Sequence, residues 1–205
     1  MSELAGVVLA GGRSSRFGRD KLAEPYRGVP LLRHAVSRLG ELCGEVVVVL
    51  SPAGGAADLP PGVRVARDDA EGLGPLAGVH AGLTSVRSPL AVVVAGDMPE
   101  VQTRVLLELV RTLRSSDASA AALRDGDDVR PLPLAVRTRE AAFAAGALLA
   151  GGHRRLRDLL DALSLAVVDE LEWTALDRER RSLFDVDVPG DLDLAGGAFP
   201  SPPPG

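Results

Sequence analysis

The segment VVLAGGRSSRFGRDK, Val7 to Lys21, decides how the rest of the chain is read. It begins inside a short apolar run, residues 6–9, with the composition of a buried strand. The run empties through Ala10 into the paired glycines Gly11 and Gly12. Arg13, Arg16, Arg19 and Lys21 then follow around a third glycine, Gly18. Paired glycines let backbone N–H groups approach a bulky anion with no Cβ in the way, and the cations that follow neutralise it. The segment therefore reads as a strand ending in a triphosphate-binding loop, with Leu9, Ala10, Gly11, Gly12, Arg13, Arg16 and Lys21 as its candidate contacts. It is neither common phosphate loop. A Walker A motif needs Lys directly after its second glycine, and the dinucleotide fingerprint needs spaced glycines.

Further apolar runs are expected as strands at 45–50, 63–66 and 90–95. VVVV at 46–49 and AVVVA at 91–95 do not alternate with polar residues, so both faces of their sheet should be covered. Helical patterns lie between them at 30–42, 76–86 and 101–113. In the first, Leu32, Ala35, Val36 and Leu39 share one face. Strand and helix thus alternate, which argues for an α/β fold with a mostly parallel central sheet. Ligands in such sheets bind beyond the carboxyl ends of the strands, where the glycine loop sits. The second half suggests strands at 118–123 and 132–136 around the acidic turn Asp125-Gly126-Asp127-Asp128. Helices near 139–149 and 154–163 and short strands at 165–168 and 183–186 complete the pattern.

The 205 residues suit one domain, 1–195, followed by a flexible Pro-rich tail, 196–205, that ends in SPPPG. A net charge of −5 argues against a general nucleic-acid or membrane-surface binder, so no nucleic acid and no membrane are expected as partners. The lone cysteine, Cys43, and the absence of a signal-peptide pattern point to a cytoplasmic location. Cys43 closes a helical pattern and is assigned no chemistry.

Asp97 is the second strong signal. It follows the buried run LAVVVAG and precedes Met98-Pro99, so a carboxylate stands where a strand leaves the sheet. Mg²⁺ favours one or two carboxylates together with substrate phosphate oxygens, and a strand-end Asp facing the glycine loop supplies one. The alternative is an N-cap for the helix near Val101. A third block runs from Arg67 through Asp68, Asp69 and Glu71 to Gly74-Pro75-Leu76-Ala77-Gly78. Its turn lets backbone groups come close to a base or ribose, or it is simply a helix start with Pro75 at the first position. His34, His80 and His153 are scattered, with no metal-ligand spacing. Arg154, Arg155 and Arg157 form a second basic cluster, which meets either an anionic acceptor or solvent.

Taken together, these blocks resemble the molybdopterin-type nucleotidyltransferases, whose signature L-A-G-G-x-S-x-R-M-G-x-D-K is departed from only at Phe17. Gly96-Asp97-Met98-Pro99 resembles the family's G/C-D-M/T-P, whose Asp holds the metal. Asp68 and Gly74, Pro75, Leu76 and Gly78 resemble D-x(5–7)-G-P-L-A-G, which lines the nucleotide pocket. Residues 184–192 resemble the closing F-x-N-x-N-T-P-x-D-L, with Asp185 and Asp187 in place of both asparagines. These carboxylates are either a second metal contact or an acidic helix start.

Within that group the chain looks like the molybdenum cofactor guanylyltransferase (MobA) family. The resemblance implies a Rossmann-like three-layer sandwich of the nucleotide-diphospho-sugar transferase type. It also implies Mg²⁺ as cofactor, GTP and molybdopterin as substrates, and contacts with other molybdenum-cofactor proteins. Arg16, Lys21 and Asp97 would be its catalytic residues. Related CTP-dependent and sugar-phosphate transferases use similar devices, and a non-catalytic delivery adaptor is an alternative of another class.

Overall fold

The computed structural model describes residues 3–11, 20–52, 59–68 and 74–196. Gly12, Arg13, Arg16, Gly18, Arg19, Asp69 and Glu71 lie outside the described residues, as does the tail beyond residue 196.

The strands are β1 (Leu4–Ala10), β2 (Pro25–Tyr26), β3 (Val29–Pro30), β4 (Glu45–Leu50), β5 (Arg64–Arg67), β6 (Leu90–Ala95), β7 (Ala120–Asp125), β8 (Asp128–Arg137) and β9 (Leu165–Val168). The helices are α1 (Leu31–Gly40), α2 (Pro75–Ser85), α3 (Thr103–Arg114), α4 (Thr138–Ala150), α5 (Leu156–Ala162) and α6 (Glu170–Leu176). Among the described residues one seven-stranded sheet runs in the order β5-β4-β1-β6-β8-β7-β9. β1 pairs in parallel with β4 and with β6, so Gly6 stands beside both Val46 and Val92. β8 alone runs against its neighbours β6 and β7. The mostly parallel sheet expected from the sequence is therefore present.

Side-chain alternation explains the layers. Val8, Val48, Leu50, Val92 and Val94 point to the face covered by α1, α3 and α6, while Val7, Val47, Val49, Ala91 and Val93 point to the face covered by α2, α4 and α5. Unbroken valine runs were needed because neither face meets water.

Three elements differ from the sequence reading. Residues 183–186 form no strand: Arg181–Leu183 is a single 3-10 turn, and Val186 spends its N–H on the Asp97 carbonyl, 3.0 Å away, instead of on a sheet ladder. The helix α6 and the hairpin β2–β3 were not anticipated. Cys43 is half-buried at the end of α1, and burial pushes its thiol up to about 12, so it stays protonated and inert.

The layers approach closely where glycine permits. A Cβ on Gly82 in α2 would stand 2.4 Å from Val7 Cγ1 and 3.0 Å from Val49 Cγ2. In an exposed helix, Gly to Ala stabilises by about 1 kcal/mol. Here the collision with two buried strands reverses that sign. Gly82→Ala should destabilise by about 1–3 kcal/mol in urea-unfolding measurements; a gain in stability would refute this account of the α2–sheet contact.

Candidate active site

The site lies at the carboxyl ends of β1 and β6. There the chain reverses its direction of travel across the sheet, which opens a crevice between loops that leave in opposite directions. The two strand ends are joined beyond their ladder, since Gly96 N–H donates to Leu9 O at 2.9 Å. Gly96 and Gly11 are both tightly placed. A Cβ on Gly96 would meet Leu32 Cδ1 at 3.0 Å, and one on Gly11 would meet Ser51 N at 3.2 Å.

Lys21 opens a 3-10 turn, Lys21–Ala23, whose N-cap is Asp20; its Oδ1 accepts from Leu22 N at 3.1 Å. That cap aims Lys21 inward. Its ammonium donates to Asp97 Oδ2 at 2.7 Å and to Val186 O at 2.7 Å, and it lies 3.9 Å from Asp187 Oδ1. The Lys21 and Asp97 side chains are only 14% and 23% exposed, so the pair is largely withdrawn from water while keeping an open flank. Asp97 does not cap α3, whose N-cap is Gln102. That alternative falls.

Asp185 sits beside this pair. Burial, then the neighbouring Asp97 charge, pushes its carboxyl up to about 7, with Arg130 and Lys21 pulling the other way. Arg130 reaches this rim because β8 runs antiparallel and begins where the other strands end. Asp187 is exposed, and its N–H and that of Val188 are held by Asp191 Oδ2 at 2.7 and 2.9 Å.

The donor set fits a divalent cation shared with a phosphate ligand. Among the described residues, Asp97, Asp185 and Asp187 stand together with Lys21 and Arg130 as the cations acting on them. Among the described residues no group of three or more His, Cys, Asp and Glu side chains is placed to hold a metal alone. Mg²⁺ asks for less than that from protein when phosphate oxygens and water complete its octahedron.

The third sequence block lies on the other side of β1. Asp68 leaves β5 with its N–H donating to Leu50 O at 3.3 Å, next to the strand end that faces Gly11. Gly74 has φ of +77°, and a Cβ there would strike Arg154 O at 2.8 Å. Leu76 N donates to that same carbonyl at 3.3 Å. The Leu76 side chain is buried in the core and Gly78 packs near Leu9. The Leu76 and Ala77 N–H groups are thus taken by Arg154 O and Gly74 O, and Pro75 forms the exposed tip of the turn.

The second basic cluster is largely accounted for by structure: Arg154 Nη1 donates to Leu149 O and His153 O, and Arg157 pairs with Asp128 at 3.4 Å. The histidines serve packing and local bonds. His34 Nε2 is 2.7 Å from Tyr26 O, and His153 Nδ1 is 3.1 Å from Asp158.

Sequence reasoning missed Val186 O, Arg130, Tyr26 and Glu100. A backbone carbonyl carries no sequence signal at all. Tyr26 is fully buried and its hydroxyl donates to Glu100 Oε1 at 2.9 Å.

Comparison with known proteins places this geometry. The model of the MobA-like NTP transferase domain matches residues 6–167. A Chloroflexus aggregans protein named as a probable molybdenum cofactor guanylyltransferase is 36% identical over 195 residues, covering 93% of this chain and 92% of that protein. One of the same name from Natronomonas pharaonis is 33% identical over 205 residues, covering 95% and 98%. Among solved structures, molybdopterin-guanine dinucleotide biosynthesis protein A from Archaeoglobus fulgidus superposes with a TM-score of 0.77 at 24% identity, covering 93% of this chain and 96% of that one. The 2-C-methyl-D-erythritol 4-phosphate cytidylyltransferase of Thermus thermophilus shares the fold, with a TM-score of 0.68 at 19% identity over 92% and 95% of the two chains. No helix among the described residues is long and apolar enough to cross a membrane.

Tyr26 reports on the wall of this site because it is the single tyrosine. Burial, reinforced by its hydrogen bond to Glu100 and that carboxylate's charge, raises its phenol from 10.0 to about 12. Between those values the unfolded phenol gives up its proton and the folded one keeps it. Folded-state stability contributed by Tyr26 is thus complete below pH 10 and is lost as pH rises toward 12. An ultraviolet titration should show phenolate forming near pH 12 in the folded protein and near 10 in denaturant; coincident titrations would refute the buried Tyr26–Glu100 contact.

Proposed function

The chain belongs to the MobA-like NTP transferase family, and from that membership we propose that it transfers GMP from GTP to the phosphate of molybdopterin, forming molybdopterin guanine dinucleotide and pyrophosphate. It is a nucleotidyltransferase. The guanine and molybdopterin specificity is supported by the names of its curated relatives. The observation that carries the chemistry is the Lys21 ammonium, held against Asp97 and Val186 O at the β1–β6 crevice.

In this reading the backbone N–H groups of Ala10, Gly11 and Gly12 would cradle the triphosphate, with Leu9 and Arg13 as further contacts. Asp68 and the backbone of Gly74, Pro75, Leu76 and Gly78 line the nucleoside side, over β4 and β5. Arg16 and Lys21 stabilise the charge that develops on the departing pyrophosphate. Asp97, with Asp185 as second contact, would hold Mg²⁺. When bound, that ion neutralises phosphate oxygens and lowers the barrier to attack at the α-phosphorus. The acceptor enters over β6 and β8, where Arg130 attracts an anion. A phosphate monoester loses its second proton near pH ~6, so the nucleophile is already ionised and the site needs no general base. Positioning and electrostatics then supply the catalysis.

Pyrophosphate release, measured with Mg²⁺ and either GTP or CTP, with and without molybdopterin, tests the proposal. Release should require GTP and molybdopterin together. CTP-dependent release would reassign the base, and no release despite GTP binding would favour the delivery adaptor. Asp97→Ala should retain the fold and lose turnover by about 10²-fold or more, as loss of a preorganised charge typically does. Lys21→Ala should lose a similar factor. Undiminished turnover in either variant would remove that residue from the machinery.

A further inference from the structure

We infer that Glu100 is the positioning residue of this site: its buried carboxylate ties the hairpin that follows Lys21 to the segment that carries Val186, and so sets where the Lys21 ammonium stands. The inference rests on the reading above and extends it to a residue with no contact to the reacting atoms.

Glu100 follows Asp97 on the loop leaving β6 and is only 5% exposed. A carboxylate so placed must find its partners inside the protein. Its Oε1 accepts from Tyr26 OH at 2.9 Å and lies 3.0 Å from Arg27 Nη2, while Oε2 accepts from Arg181 Nη1 at 3.2 Å. These partners come from two remote stretches of chain, and each stretch leads to Lys21.

The first stretch is the β2–β3 hairpin. Its turn is Arg27-Gly28, with φ of +51° and +78°. A non-glycine residue in the left-handed region is strained, and such strain persists only where the surroundings over-determine it. Here the Arg27 guanidinium is held by Glu100 and lies 5.4 Å from the Tyr26 ring centre. Pinning Tyr26 and Arg27 pins the Lys21–Ala23 turn that feeds the hairpin.

The second stretch is the closing segment. Buried Asp177 accepts from Arg181 N at 3.1 Å and Ser182 N at 2.7 Å, shaping the turn that delivers Arg181 to Glu100. Ser182 Oγ in turn accepts from Gln102 N at 3.1 Å. The chain then reaches Val186, whose side chain packs with Tyr26 and Leu31 and whose carbonyl receives the Lys21 ammonium. Lys21 and its acceptor Val186 O thus both hang from one carboxylate, which stands on the same loop as Asp97.

The test compares Glu100→Ala and Glu100→Gln with the wild-type protein, each alone and in a Lys21→Ala background. One readout is pyrophosphate release. The other needs no substrate: the rate at which Lys21 is acetylated by a soluble N-hydroxysuccinimide ester, followed by peptide mass spectrometry. Glu100→Ala should melt cooperatively, expose Lys21 to acetylation several-fold faster and lower kcat by about tenfold, with KM for GTP changing less. Glu100→Gln keeps the shape and an acceptor for Tyr26, and should recover part of both losses. In the Lys21→Ala background the Glu100 replacements should cost no further turnover, because residues acting through one another are not additive.

Wild-type acetylation rates at Lys21 in the Glu100 variants would overturn the inference. So would a Glu100 loss that multiplies in full with the Lys21 loss. If Glu100→Ala does not fold, Glu100→Gln carries the same readouts. A wild-type protein that releases no pyrophosphate would count against the proposed reaction, and the acetylation rates would still decide the role of Glu100.

Discussion

An ammonium group drawn largely out of water must find its acceptors within the protein, and Lys21 finds them on segments the chain reaches only much later. This constraint organises the whole catalytic rim. Asp97 must leave β6 at the height where Lys21 arrives, which the Gly96–Leu9 hydrogen bond secures by joining the two strand ends. Residues 184–187 must cross the crevice without joining the sheet, because Val186 gives its carbonyl to Lys21 and its N–H to the Asp97 carbonyl. Lys21 itself must come from a tight turn, since a helix or a strand there would carry it along a fixed axis away from the strand ends. Asp20 supplies the cap that makes the turn.

The sheet was legible because burial on both faces leaves a strong mark. A strand with no wet side needs no polar alternation, and the runs at 46–49 and 91–95 can be little else. Gly11 and Asp97 stand out in the sequence for a related reason: each interrupts the end of such a strand with a residue type a strand does not favour. The closing segment misled because LFDV has strand composition, while its geometry is dictated by Lys21 and Asp97, which are remote in sequence. Composition cannot report that competition. α6 was missed although Asp169 and Glu172 form a capping box around its first turn. The helix is short, and its single buried anchor, Trp173, bonds through Nε1 to Arg124 O, a partner that no local pattern reveals.

The departures at Asp185 and Asp187 acquire a physical meaning from the same geometry. An asparagine at 185 would be neutral, and its burial would require only hydrogen bonds. An aspartate there brings a second carboxyl beside Asp97, and the protein resists ionising it: burial and the Asp97 charge both oppose the loss of its proton. Arg130 partly offsets this from β8. Asp185 therefore holds its proton more tightly beside Asp97, and a further cation sharing the site would favour its ionised form.

The orientation of β8 also explains how one sheet serves two substrates. β5, β4, β1 and β6 run in parallel and present their carboxyl ends at one rim. β8 presents its amino end at the same rim, so that side begins in charged side chains, with Arg130 close to Asp125 and Asp125 paired to Arg180. In the proposed reaction the first surface takes the nucleotide and the second takes the acceptor. The sheet itself discriminates among neither bases nor acceptors, which is why a cytidylyltransferase at 19% identity has the same fold. Selectivity must then reside in the connections above it, and a change of base should require altered loops around Gly11 and Asp68 while leaving Lys21, Asp97 and the strand register as they are.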